Sequence, residues 1–113
     1  EAIAFTGTSN EDEAARELCK YSISHVITNG EDGARCFDGK RVFFSEGIRV
    51  DAIDTNGAGD MFAGAFLFAI TSGRNYQWAA DFANDCASRV VQRFGPRLDR
   101  EDFETLKDQY SLP

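Results

Sequence analysis

The hydrophobic positions in the first half of the chain fall into short runs. Four runs are rich in β-branched and aromatic residues and are bounded by turn-forming residues, which is typical of buried strands. They are Ser24–Thr28, Ala34–Phe37, Lys40–Phe44 and Ile48–Ile53. The pair Asp38-Gly39 between the second and third runs predicts a two-residue turn, and therefore a β-hairpin.

Helical spacing of apolar residues appears before and after these strands. Asn10 and Glu13 have the spacing of a capping box, so a helix is expected to begin there. The run Met61–Ile70 is apolar almost all round, which predicts a buried helix. Tyr76–Arg93 carries an apolar stripe at helical spacing, and Asn75 is placed to cap it.

Two further helices are predicted at the ends of the chain. The stretch Glu1–Gly7 reads as the end of a helix with Gly7 as its C-terminal cap. Asp99 and Asp102 indicate another helix start, with Phe103 and Leu106 turned inward. Because strands alternate with helices, we expect an α/β domain with a mainly parallel sheet and some antiparallel pairing from the hairpin.

The stretch Asp54–Asp60 joins the last predicted strand to the apolar helix. The first turn of a helix leaves backbone N–H groups without internal partners, and the helix dipole makes that end partly positive. Gly57 and Gly59 would let a phosphate or a developing oxyanion approach the backbone closely. Asp60 would lie beside that anion, although spacing alone allows it to be a first-turn acid that only favours the dipole.

A second glycine-containing element follows the first predicted strand. Its sequence is Thr-Asn-Gly-Glu-Asp-Gly at residues 28–33. One interpretation is a tight turn between two strands, with its glycines at positive φ. The other is a ligand-binding loop, because in open α/β sheets ligands lie beyond the carboxyl ends of strands.

The run Asp-Thr-x-Gly-Ala-Gly-Asp-x-Phe at residues 54–62 resembles the signature of the ribokinase-like (PfkB) family of sugar and nucleoside kinases. Every specified position of that signature is present. The resemblance implies an α/β fold of the ribokinase-like, Rossmann-type three-layer sandwich class. Residues 1–113 would then be the C-terminal, ATP-binding and catalytic portion of the kinase domain, with the N-terminal portion absent.

The resemblance implies a role for each residue of the glycine turn. Asp60 would contact the substrate and take the proton from its hydroxyl as general base. The N–H groups of Gly57, Ala58 and Gly59 would form an anion hole for the transferring phosphoryl group.

The resemblance also implies a nucleotide site and cation sites. The nucleotide phosphates would lie along Thr28, Asn29, Gly30, Glu31, Asp32, Gly33 and Gly59. Asn84 is interpreted either as a solvated polar residue or as the family's polar side chain near the adenine. Glu1 would help to hold Mg²⁺ through water, whereas Asn10 and Glu13 are taken as a helix cap and not as the family's metal motif. A monovalent cation, K⁺, would be held around Asp54, Asn56, Val90, Arg93 and Gly95.

The amino-acid composition limits the classes of molecule that the chain is expected to bind. The chain of 113 residues has a formal net charge of −7, which argues against nucleic acid and against an anionic membrane surface. It does not argue against ATP, because a phosphate site made of backbone N–H groups needs little side-chain charge. Three widely spaced cysteines and a single histidine argue against structural zinc and indicate free thiols in a reducing, cytoplasmic compartment. The sequence contains no apolar run long enough to span a bilayer.

The leading hypothesis is an ATP-dependent phosphotransferase that acts on a hydroxyl of a sugar or nucleoside. Asn56 and the run Phe94–Leu98 resemble the adenosine-kinase-like branch. The alternatives are a non-catalytic nucleotide-binding or regulatory module of the same fold, and a structural fragment whose glycines only shape turns. The family resemblance further suggests a homodimer formed through the N-terminal lid.

Overall fold

The computed structural model describes residues 1–48, 57–92 and 98–112. Its helices and strands follow one another in the order in which the sequence places them, with two helices before the strands and three after them. In chain order they are α1 (Ala2–Thr6), α2 (Glu11–Leu18), β1 (His25–Thr28), a 3₁₀ turn (Gly30–Asp32), β2 (Ala34–Phe37), β3 (Val42–Ser45), α3 (Ala58–Thr71), α4 (Tyr76–Val91) and α5 (Arg100–Gln109).

The three described strands form an antiparallel sheet in the order β1-β2-β3. Thr28 pairs with Ala34 across the first ladder, and Ala34 pairs with Ser45 across the second. The predicted hairpin is confirmed, with Gly39 at φ 100° in its turn. The connection spans residues 38–41, however, and is longer than the expected two-residue turn Asp38-Gly39. The expectation of a mainly parallel sheet does not hold for these strands. Most of the predicted strand Ile48–Ile53, which was expected to extend the sheet, lies outside the described residues.

Side-chain caps start three of the helices at the predicted residues. Asn10 Oδ1 accepts from the Glu13 N–H at 2.9 Å, and Asn75 Oδ1 accepts from the Trp78 N–H at 2.8 Å. Asp99 Oδ1 likewise accepts from the Asp102 N–H at 2.8 Å. Each such cap satisfies a backbone donor that a helix start leaves open, and contributes about 1 kcal/mol. At the end of α1, Gly7 adopts the left-handed conformation at φ 69°, also as predicted.

The hydrophobic core lies between α3 and α4 and is rich in small residues. Alanines on both helices allow their backbones to approach, and two phenylalanines fill the space between them. α5 closes one side of this core with Leu106, which is 2% exposed. The buried apolar residues of this cluster are Ala34, Phe62, Ala65, Ala69, Ala79, Phe82, Ala83, Cys86 and Leu106.

Two expectations about burial are wrong. Helix α3 is not buried all round, since Leu67 is 61% exposed and Phe68 is 42% exposed. Phe103 of α5 is 53% exposed and does not turn inward with Leu106. In both cases one face of the helix packs on the core, and the described residues place nothing over the opposite face. Among the described helices, none is both long and apolar enough to cross a membrane.

A buried carboxylate joins α4 to α5. Asp85 accepts hydrogen bonds from Tyr110 Oη at 2.9 Å, Gln109 Nε2 at 3.2 Å and Arg89 Nε at 3.1 Å. Burial, with the hydrogen bond to Asp85, raises the pKa of the Tyr110 hydroxyl above its usual range. Tyr110 also packs edge-on against Phe82, so the polar contact and the apolar contact fix the same end of α5.

Two glycines allow a close backbone contact between the 3₁₀ turn and the segment after β3. A Cβ atom on Gly33 would lie 2.1 Å from the Ser45 carbonyl oxygen and 2.6 Å from the Gly47 nitrogen. A Cβ atom on Gly47 would lie 1.9 Å from the Glu31 carbonyl oxygen. Gly33 also has φ 99°, which side chains rarely adopt. A larger residue at either position would push the turn away from the sheet.

The glycine contact predicts a difference between two neighbouring substitutions. Gly33→Ala should lower the free energy of unfolding of the full-length protein by about 3 kcal/mol, because the new methyl group overlaps backbone atoms. Gly30→Ala is the control, since Gly30 has φ 53° but open space around its Cβ position. It should cost about 1 kcal/mol from backbone strain alone. Urea denaturation measures both, and equal losses would contradict the contact.

The cysteines should differ in reactivity. Burial raises the pKa of the Cys36 thiol to about 11 and that of the Cys86 thiol to about 12, whereas Cys19 is exposed. Since the thiolate is the reactive form, alkylation of the native protein at pH 8 should modify Cys19 and spare the other two. Peptide mapping by mass spectrometry reads out each site. Modification of Cys36 or Cys86 at the rate of Cys19 before unfolding would show that the core is open.

Candidate functional site

A cleft of about 480 Å³ lies where the 3₁₀ turn, the segment after β3, the start of α3 and one face of α4 meet. Its volume is in the range of small-molecule sites in proteins. Seven of the residues singled out from the sequence line it, although they come from three separate stretches of the chain. The lining residues are Thr28, Gly30, Glu31, Gly33, Gly47, Ile48, Ala58, Gly59, Phe62, Asn84, Ala87, Ser88 and Val91.

The 3₁₀ turn forms one wall of the cleft. It leaves β1 after Thr28 and is closed by the Asn29 N–H, which donates to the Gly33 carbonyl at 2.8 Å. Gly30 at φ 53° and Gly33 at φ 99° both adopt the positive φ that the turn interpretation predicts. The turn and ligand-loop interpretations are therefore compatible, since the same segment turns the chain and faces the cleft.

The start of α3 forms the opposite wall. Gly57 at φ 80° is its N-cap and, among the described residues, no side chain caps this helix. The first helical hydrogen bond runs from the Met61 N–H to the Gly57 carbonyl at 2.8 Å. The N–H groups of the residues before Met61 therefore have no hydrogen-bond partner within the helix. The Cβ position of Gly59 has no heavy atom within 4 Å. This is the open, partly positive helix end that an anionic ligand requires.

One face of α4 forms the third wall. Asn84, Ala87, Ser88 and Val91 lie on it at helical spacing. Asn84 is 8% exposed, and its Nδ2 donates to Ser45 Oγ at 2.7 Å and to the Glu46 carbonyl at 3.3 Å. The interpretation of Asn84 as a solvated polar residue is therefore wrong. Its side chain is fixed between α4 and the segment after β3.

Asp60 lies in the first turn of α3 and is exposed. Neither Asp60 nor Gly57 lines the cleft, but the two flank the lining residues Ala58 and Gly59. Asp60 therefore follows the lining residue Gly59 directly in the chain, and its carboxylate is accessible to solvent.

Several of the predicted site residues lie elsewhere. Asn29 and Asp32 line a neighbouring hollow of about 240 Å³, where Asn29 Nδ2 donates to Glu11 at 3.3 Å. Glu1 is exposed at the start of α1, and Val90 is fully buried in α4. The predicted cation residues Asp54, Asn56, Arg93 and Gly95 lie outside the described residues.

The described residues can be tested against the cofactors that the resemblance implies. In these parts of the chain no three His, Cys, Asp or Glu side chains come together as a metal site. An ATP molecule fits the cleft better, because its volume, its glycine walls and the uncapped start of α3 suit a phosphate group. Mg²⁺ bound with a nucleotide does not need such a cluster, because it is commonly held by one or two carboxylates together with the substrate phosphates.

Sequence reasoning missed part of the cleft. Gly47 and Ile48, which follow β3, were not expected at the site. Phe62 of α3 belongs to the signature run, but no role in the cleft was expected of it. Ala87, Ser88 and Val91 follow Asn84 by three, four and seven residues, so the helical period could have identified them as neighbours. Gly47 had no such signal, because its role depends on Gly33, which is distant in sequence.

Known proteins match both the sequence and the fold. The family model "pfkB family carbohydrate kinase" matches residues 1–102. Ribokinase from Bacillus subtilis is 35% identical over 97 residues, which cover 78% of this chain and 33% of that protein. Among solved structures, adenosine kinase from Sinorhizobium meliloti has TM-score 0.89 at 28% identity, covering 96% of this chain and 34% of that one. Ribokinase from Arabidopsis thaliana, complexed with ribose and ATP, has TM-score 0.80 at 26% identity, covering 93% and 37%.

These matches confirm the ribokinase-like α/β fold class. The chain spans about a third of the length of each of these relatives. The match of the family model to nine-tenths of the residues, together with the glycine cleft, settles the family: the chain belongs to the pfkB family of carbohydrate kinases.

Proposed function

We propose that this chain forms the nucleotide-binding and catalytic part of an ATP-dependent kinase that phosphorylates a hydroxyl of a sugar or nucleoside. The observation that carries this proposal is the meeting of the two glycine elements at one cleft, where Gly30 and Gly33 face Ala58 and Gly59. Phosphoryl transfer consists largely of positioning and of stabilising negative charge. The backbone groups of the two glycine elements would supply both the positioning and the stabilisation of negative charge.

The start of α3 would receive the phosphoryl group that is transferred. The N–H groups of Gly57, Ala58 and Gly59 precede the first helical hydrogen bond, and the open Cβ position of Gly59 lets an oxygen approach them. Such fixed donors stabilise the charge that develops in the transition state without reorganising. The 3₁₀ turn would hold the remaining phosphates through Gly30 and Gly33.

Asp60 would act as the general base. It is exposed and lies next to the glycine wall, so an acceptor hydroxyl can reach it from solvent. By taking the hydroxyl proton, its carboxylate would make the acceptor oxygen a better nucleophile toward the γ-phosphate.

The cofactors proposed are ATP and Mg²⁺, with K⁺ as a further cation. Mg²⁺, when bound with the nucleotide, would supply charge neutralisation. Glu1 is the proposed water-mediated contact to Mg²⁺, and Asp54, Asn56, Val90, Arg93 and Gly95 are the proposed surroundings of K⁺. ATP is supported by the Arabidopsis thaliana ribokinase complex. The acceptor class is supported by relatives named for ribose and for adenosine, which together leave both sugars and nucleosides as candidates.

Nucleotide binding can be tested by thermal stabilisation. ATP-γ-S with Mg²⁺ should raise the melting temperature of the full-length protein, because a ligand that binds only the folded state stabilises it by mass action. Gly59→Val should abolish the shift, since its side chain enters the cleft. Gly64→Val is the matched control on the same helix, because Gly64 also has open space at its Cβ position but does not line the cleft. Equal shifts in the two variants would count against this phosphate site.

The role of Asp60 can be tested by turnover. Asp60→Asn keeps the size of the side chain and removes the proton acceptor, so kcat should fall by about 10²–10⁴-fold with little change in KM for ATP. The control is Glu101→Gln, which alters an exposed first-turn acid of α5 and should leave kcat unchanged. If Asp60→Asn keeps more than about a tenth of kcat, Asp60 is a first-turn acid that serves the helix dipole and not a base.

A further inference from the structure

The three-stranded sheet exposes large apolar side chains on one of its faces. The other face packs on α4, where Ser45 is buried. Successive side chains of a strand alternate between faces, so Val42 and Phe44 lie opposite to Ser45, and they are 51% and 61% exposed. Ile23 is 90% exposed beside the hairpin turn, with its Cγ2 3.9 Å from the Cβ position of Gly39. Ile23, Val42 and Phe44 form the outer face of the sheet, and such an apolar group is typical of an interaction surface.

The hairpin turn gives one end of the outer face a positive charge. Lys40 and Arg41 are both exposed there. Asp38 fixes the turn, because its Oδ1 accepts from the Lys40 N–H at 2.9 Å and from the Arg41 N–H at 3.0 Å. Its other oxygen lies 4.0 Å from Arg41 Nε and balances that charge. Within the described residues no carboxylate pairs with the Lys40 ammonium.

The opposite end of the outer face is acidic. The hollow of about 240 Å³ lies there beside Phe44, and Glu11 and Glu46 are among the residues that line it. Arg35 lines it too, but its Nη2 is paired with Asp12 Oδ1 at 2.5 Å, and its guanidinium lies 5.1 Å from the centre of the Phe44 ring. In the described part of the chain neither Glu11 nor Glu46 has a cationic partner. The hollow therefore carries unbalanced negative charge.

The two charged ends cannot neutralise each other within one copy of the chain. A strand rises about 3.3 Å per residue, so Lys40 and Glu46 lie about 15–20 Å apart along β3. A second copy, related by a twofold rotation and packed against the outer face, brings each Lys40 to the other copy's hollow. Val42 and Phe44 of the two copies then cover one another. A parallel arrangement would bring like charges together, so the charges select the antiparallel one.

We propose that the outer face binds a second copy of this chain, in a symmetric pair in which the Lys40 ammonium of each copy enters the acidic hollow of the other. The face is small, so we expect a reversible association in the micromolar range. Gly33 is the only residue that lines both the hollow and the cleft among the described residues. Pairing therefore leaves the cleft open, and the inference does not depend on the proposed function.

Charge exchange between two variants tests the pairing. Sedimentation velocity of the full-length protein, across the micromolar range, should show self-association of the wild type. Lys40→Glu and Glu46→Lys should each weaken it by about tenfold or more, because each variant alone places like charges at both contacts. An equimolar mixture of the two should associate as the wild type does, because a mixed pair has unlike charges at both contacts. A mixture that associates no better than either variant would overturn the proposal.

A third variant tests the apolar centre of the pair. Val42→Glu should abolish the association, because it buries an unpaired charge between the two copies. The matched control is Phe103→Glu, since Phe103 is a similarly exposed apolar residue on α5, at 53%, and does not belong to the outer face. It should leave the association unchanged. A full-length protein that stays monomeric throughout this range would overturn the proposal. So would association that is equal in the wild type, Val42→Glu and Lys40→Glu, which would place any dimer on another surface.

Discussion

The cleft depends on the close approach of two backbone segments at Gly33 and Gly47. The 3₁₀ turn can lie directly on the segment after β3 only because neither residue has a side chain. This contact fixes the distance between Gly30 and the β3 end, and therefore one wall of the cleft. A methyl group at either glycine would overlap backbone atoms, which the surrounding structure cannot relieve by rotating a side chain.

Helix α4 contributes to both the core and the site, because its different faces contact the core, the end of β3 and the cleft. Phe82 and Cys86 pack into the core, while Gln77 and Asp81 hold the end of β3 through hydrogen bonds to Phe44 and Ser45. Another face carries Asn84 and lines the cleft. The same helix thus contributes to the core and positions one wall of the cleft.

A site made of backbone groups would reconcile the acidic chain with the anionic ligand proposed for it. The formal net charge of −7 would disfavour a phosphate site that relied on charged side chains at the surface. A site made of N–H groups at the start of α3 acts over a short range and needs no cationic side chain. In the proposed function, Asp60 would lie next to this phosphate site, where proton transfer from an acceptor would require a base.

The sequence alone determined the local features of this protein. Helix caps at Asn10, Asn75 and Asp99, the hairpin, and the positive φ of the turn glycines follow from interactions within a few residues. The resemblance of residues 54–62 pointed to the family, because acid and glycine positions have fixed spacing there. These are properties of neighbouring residues, so they are readable without a fold.

The tertiary structure decided what depends on residues far apart in the chain. Burial of Asn84 follows from its contacts with Ser45 and Glu46, about 40 residues away, and helical spacing alone suggested a solvated side chain. The exposed face of α3 and the outward position of Phe103 follow from which neighbours each helix finds. The steric role of Gly47 exists only because Gly33 packs on it. Contacts of this kind arise from the packing of distant segments, which composition and periodicity do not encode.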